Sequence, residues 1–180
     1  MGYIKGGNME GIEIVAELMK ISAITAPKSK GVNFVQTKVL TGAVLKQVAD
    51  HMIVFGQKIG KPDFDRDAKN ILASEAVLLI GLAKTDALGL NCQACGFSSC
   101  QDLLNHPKTE GEFKGPICAF RLLDMGIALG SAVKTAGMLN VDNRIMYRAG
   151  VVAKDMGIVD WDFVMGIPLS ITGKNIFFDR

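Results

Sequence analysis

Every cysteine of this chain falls within one stretch, NCQACGFSSCQDLLNHPKTEGEFKGPIC, running from Asn91 to Cys118. Cys92 and Cys95 form a CxxC pair, Cys100 follows after four residues, and Cys118 after a further seventeen. Thiols gathered this tightly constrain the fold, because the loop has to wrap around whatever they bind. Four thiolates can hold an iron–sulfur cluster or a tetrahedral structural zinc. Otherwise they form disulfides or stay as buried thiols. Disulfides fit least: no signal peptide marks a secreted chain, and a hydrophobic chain of this length builds a core without staples. Zinc sites usually pair two short knuckles, and Cys118 has no second cysteine near it. A cluster tolerates a tight run of three ligands with a fourth from further along. Gly96 frees the backbone to reverse around it, Ser98 and Ser99 can shape the loop or donate to sulfide, and Pro116 stiffens the approach to Cys118.

The motif NCQACGFSSC with a distant GPIC resembles the four-cysteine [4Fe-4S] module of the large subunit of corrinoid iron–sulfur proteins and of a subunit of membrane-associated electron-transport complexes. The whole chain, from AELMKISAITAPKSKG to MGIPLSITGKNIFFDR, is similar to a family of uncharacterised archaeal and bacterial proteins described as containing a ferredoxin domain. That resemblance implies Cys92, Cys95, Cys100 and Cys118 as ligands of one [4Fe-4S] cluster, with a redox partner protein to exchange electrons. It implies no substrate.

A single domain, 1–180, is expected, with 91–118 as an iron–sulfur segment inside it. Hydrophobic residues make up 49% and aromatics 7%, so the core should be aliphatic, with methionine filling gaps. A net charge of +2 gives no basic patch to argue for nucleic acid. The longest apolar run, 117–139, is broken by Arg121, Asp124 and Lys134, which reads as a buried helix and not a membrane span. The expected compartment is the cytoplasm, where thiols stay reduced.

Residues 1–9 lack any period and read as an arm. Helical spacing covers 10–25 and alternation marks a strand at 34–40. Thr41 is then positioned to cap a helix over 42–59. A polar loop containing Asp63, Asp65, Arg66 and Asp67 reads as a solvated face, and 66–74 as a short helix or irregular segment. The apolar run 75–82 reads as a central strand buried on both faces. After the cysteines come a long helix at 119–139, a helix at 144–155 capped by Asp142, and a last strand at 158–167. Met19, Met52, Met125, Met138, Met146, Met156 and Met165 read as core filler, His51 as a partly exposed helix residue, and His106 as a polar loop residue. The class is α/β (α+β): a small sheet covered by helices, with a cysteine-rich insert.

The outer parts also resemble the flavin-dependent nitroreductases, through APKSKGVNFVQ after the first helix, GIALGSAVKTAGML in the long helix and FVMGIPLS near the end. That family dimerises and holds FMN at the subunit interface. The resemblance implies a homodimer, with Lys28, Ser29, Lys30 and Asn33 near the flavin ribityl or phosphate and Lys174 near the phosphate. The protein would then be a flavin-linked reductase. The alternative, from a different class, is a protein-binding module whose four cysteines hold a structural zinc.

Overall fold

The chain places its most apolar run at the centre of the molecule. The computed structural model describes residues 9–178, so all of the expected arm except Met9 lies outside the described residues. In order, the elements are α1 (Met9–Thr25), β1 (Val35–Thr41), α2 (Ala43–Ile59), α3 (Phe64–Ala73), β2 (Ala76–Leu82), α4 (Cys100–Asn105), β3 (Thr109–Glu110) and β4 (Lys114–Gly115). They continue with α5 (Ala119–Met138), β5 (Asp142–Asn143), α6 (Tyr147–Asp155) and β6 (Phe163–Ser170). β2 is buried along its whole length. It pairs antiparallel with β1 on one side and β6 on the other, giving the sheet order β1-β2-β6-β5.

Because strand side chains alternate, β2 feeds two cores. Val77 and Leu79 join Val48, Met52, Phe64, Ile71 and Val152 from α2, α3 and α6. Ala76, Leu78, Ile80 and Leu82 join Ile12, Met19, Met125 and Ala132 from α1 and α5. The result is a sheet between two helical layers. α6 lies close against β6: a Cβ at Gly150 would sit 1.9 Å from the carbonyl oxygen of Val164, so only glycine permits the approach.

The helices over 10–25, 42–59 and 119–139 and the central strand agree with the sequence reading to within a residue or two. Several local expectations do not. Thr41 belongs to β1, and the cap position is Gly42 at φ 65°, a conformation suited to glycine, with no side-chain cap. Asp142 does not cap a helix: it pairs in β5, and α6 starts at Tyr147. The last strand begins at Phe163, because residues 158–162 return from the Gly157 turn (φ 68°) to bond the ends of β2 and β4 through Asp162. Asp67 is not solvated. It is 2% exposed, with Arg66 and Arg148 on its two oxygens, because α3 packs that side against α6. Met138, on the last turn of α5, is 73% exposed rather than core. Among the described residues no helix is long and apolar enough to cross a membrane.

Candidate functional site

After β2 the chain leaves the sheet, and its first buried contact is Leu88. Asn91, Gln93 and Gly96 then adopt positive φ (48°, 61° and 83°), reversing the backbone repeatedly around Cys92 and Cys95. Gly96 donates its N–H to the Gln93 carbonyl at 2.8 Å to close this turn. Asn91 and Cys100 clamp each other: the Cys100 N–H donates to Asn91 Oδ1 at 2.8 Å, and the Asn91 N–H donates to Cys100 Sγ at 3.4 Å. Ser99 shapes the loop as expected, its Oγ accepting from the Asp102 N–H at the start of α4. His106 is a loop residue, its ring edge-on to Phe97.

Cys118 sits at the start of α5, 6% exposed. It forms a small apolar cluster with Leu88 and Leu103, against which Cys95, Phe97 and Phe120 pack. Thiols from opposite ends of the cysteine segment therefore share one cluster. All four are free, graded from exposed Cys92 through half-buried Cys95 and Cys100 to buried Cys118. Among the described residues no three His, Cys, Asp or Glu side chains are grouped to share one metal ion. The donor set is nevertheless of the right kind for a cluster: four unpaired thiols, one of which already takes a backbone N–H, as ligand sulfurs do.

The stretch between Cys100 and Cys118 is tied to the body by the β3–β4 hairpin. The Lys114 N–H donates to the Asp162 carbonyl at 2.8 Å, Lys61 pairs with Glu112 at 2.9 Å, and Phe113 packs 4.2 Å from the Phe163 ring centre. The Glu112 hydrogen bond holds the Lys61 ammonium above its ordinary pKa.

The turn assigned to flavin by resemblance is occupied with internal bonds. Lys28 Nζ donates to the carbonyls of Ala23, Ile24 and Ala26, closing the end of α1. Burial there pushes its pKa down, against an upward pull from Asp124. Ser29 donates both its N–H and its Oγ–H to Asp124 Oδ1 at 2.7 Å. Lys30 Nζ donates to the Leu88 carbonyl at 2.8 Å, and Asn33 Oδ1 accepts from the Val35 N–H. Lys174 lies beyond β6 beside Asn175, which bonds to Asp142 of β5. The turn leads into β1, so within one chain these residues sit at opposite edges of the sheet. As it stands, the turn does not fit a flavin phosphate, since its polar side chains are engaged with the protein.

Two residues that the sequence reading took only as interruptions of an apolar helix prove central. Arg121 and Asp124, 3% exposed each, pair at 3.0 Å one turn into α5. The available signal was a charge pair at i, i+3 in a helix otherwise without acidic side chains.

A model of the family described as "uncharacterized protein containing a ferredoxin domain" matches residues 114–180, from β4 onward. An uncharacterized protein of Archaeoglobus fulgidus is 47% identical over 171 residues, covering 95% of this chain and 92% of its own. Solved structures with a similar fold include a nitroreductase with bound FMN from Desulfitobacterium hafniense, with a TM-score of 0.55 and 13% identity over 96% of this chain and 82% of that one. The FMN-dependent nitroreductase of Mycobacterium smegmatis, solved with NADPH, has a TM-score of 0.56 and 13% identity over 89% and 78%. At these identities the likeness is one of fold. The sheet and its helical layers are thus nitroreductase-like, and the chain belongs to the family of uncharacterized proteins containing a ferredoxin domain.

Proposed function

We propose that this chain is an iron–sulfur protein in which Cys92, Cys95, Cys100 and Cys118 hold one [4Fe-4S] cluster, and that it works in electron transfer. The observation that carries this reading is the packing of Cys95 and Cys118 in one apolar cluster. When bound, such a cluster supplies one-electron exchange at a potential set by burial, charge and hydrogen bonds to sulfur. The Asn91 N–H already donates to Cys100 Sγ, the kind of hydrogen bond that would tune that sulfur as a ligand. Leu88, Leu103, Phe97 and Phe120 keep water from Cys118, and the exposed rim at Cys92 is the approach for a redox partner protein.

The nitroreductase-like fold supports looking for FMN, with Lys28, Ser29, Lys30, Asn33 and Lys174 as the residues to examine. Their internal bonds would have to exchange first, so no step is derived through flavin. A homodimer is supported by Ile14, Leu18, Ile21 and Ile24, exposed along one side of α1, with Leu123 and Ile127 exposed on the neighbouring α5. The cytoplasm, where thiols stay reduced, is the proposed compartment.

The test is protein purified without oxygen, with its absorption spectrum, iron, sulfide, zinc and released flavin measured on one sample. About four iron and four sulfide per chain are expected, and Cys118→Ser should lose most of the visible absorbance. Stoichiometric zinc without iron would refute the redox reading in favour of a structural metal. Released FMN would extend it to a flavin-linked reductase.

A further inference from the structure

We infer that Arg121 is a positioning residue: it locks the cysteine module to the Lys28–Asn33 turn, so that metal loading and the order of that turn are coupled. The inference rests on the iron–sulfur reading, and it assigns the turn a different task from the one resemblance suggests. Arg121 follows Cys118 by three residues, in the first turn of α5. Its Nε donates to the Asp86 carbonyl at 3.3 Å, on the segment that leads to Cys92. Its Nη1 donates to the carbonyls of Ser29 and Val32 at 3.2 and 3.4 Å and to Asp124 Oδ2 at 3.0 Å. One guanidinium therefore holds both chain segments flanking the proposed cluster and the turn before β1.

Neighbouring contacts reinforce that joint. Asp124 holds Ser29 through its second oxygen, using the backbone N–H and the hydroxyl together. Lys30 reaches the carbonyl of Leu88, whose side chain shares the apolar cluster with Cys118. Phe34, at the far end of the turn, lies under the guanidinium, 4.6 Å from ring centre to Cζ.

Stability alone does not account for this arrangement. A buried ion pair often contributes no more than an apolar replacement of similar volume, and lysine could pair with Asp124 but could not span two chain segments with a rigid fork. What arginine adds is a fixed relation between the segments. If the thiols close on metal, the 86–90 segment and the first turn of α5 are held still, and through Arg121 so is the turn.

The experiment compares the wild type, Arg121→Lys, and the double variant Arg121→Met with Asp124→Leu, which leaves no buried charge unpaired. Each is prepared metal-free and after anaerobic reconstitution with iron and sulfide, with iron counted and amide exchange followed at Ser29, Gly31 and Val32. In the wild type, loading should slow exchange at these amides by about fivefold or more. In the double variant the four thiols remain and iron should still bind, but the slowing should vanish. Arg121→Lys should fall between. A purely structural role would raise exchange in both states and leave their ratio unchanged. Iron bound in the wild type with no slowing, or full slowing in the double variant, overturns the coupling. Failure of the wild type to take up iron would refute the iron–sulfur reading itself, and this inference with it.

Discussion

Gly150→Ala tests the layered packing directly. The added Cβ would lie 1.9 Å from Val164 O, 2.5 Å from Val164 C and 2.9 Å from Met165 N. All three are backbone atoms of β6, so no side-chain rotation relieves the clash. Ordinary contact begins at 3.4 Å, so α6 must retreat by about 1.5 Å. That retreat would loosen Ala149, Val151, Val152 and Ala153, all buried. Overpacking a filled site typically costs 1–3 kcal/mol, and a clash against an immobile backbone belongs at the upper end, about 3 kcal/mol. For a chain of this size that corresponds to a melting temperature lower by roughly 6–12 °C. The assay is denaturant and thermal unfolding of reduced, metal-free protein beside Gly126→Ala. Gly126 lies mid-helix with nothing within 4 Å of an added Cβ, so there alanine should stabilise by about 0.5–1 kcal/mol. A loss below about 1 kcal/mol for Gly150→Ala would refute the claim that α6 lies directly on β6.

Arg148→Met removes the 3.0 Å partner of Asp67 Oδ2 and leaves that buried carboxylate to Arg66 alone. A destabilisation of about 3 kcal/mol is expected in chemical unfolding, largely recovered when Asp67→Leu is added. Because the folded pKa of Lys61 is raised by its bond to Glu112, its contribution is complete below the ordinary lysine value of 10.5 and is lost as pH rises through the folded value. Stability against pH above 10 should therefore fall less steeply in Lys61→Met than in the wild type, and parallel curves would count against the Glu112 pairing. Leu18→Glu places a charge on the exposed side of α1, where Leu18 is 41% exposed. Sedimentation should show the proposed homodimer weakened by at least tenfold with the fold intact; an unchanged dimer would move the subunit contact elsewhere, and a monomeric wild type would refute the homodimer.

The elements with strong local patterns were legible in the sequence. β2 announced itself as an unbroken apolar run, α1 by helical spacing, α5 as a long apolar run broken by three charges, and the cysteine loop by its thiols and Gly96. The losses came where a partner distant in sequence decides. Asp142 offers a helix cap locally, but β6 captures it as a two-residue strand. Asp67 sits in a loop-like run of charges and is buried only because Arg148, far along the chain, meets it. Lys28 and Ser29 look like free ligands until α1's carbonyls and Asp124 are in place around them. Arg121 was visible as a charge in an apolar helix, but three of its four acceptors come from segments no local pattern connects.

The cysteines contribute to neither of the two cores that flank the sheet. Their cluster, built on Leu88, Leu103 and Cys118, is a private one. A chain organised this way confines injury. On the iron–sulfur reading, loss of metal would loosen the 91–105 loop, which supplies no side chain to either main core, while Phe113 and Ile117 keep the return to α5 anchored on them. Reloading would then rewind that short loop around new metal while the two main cores stay packed. If the proposed cluster is present, oxidative loss and reloading would be a local cycle, repeatable over the lifetime of one polypeptide.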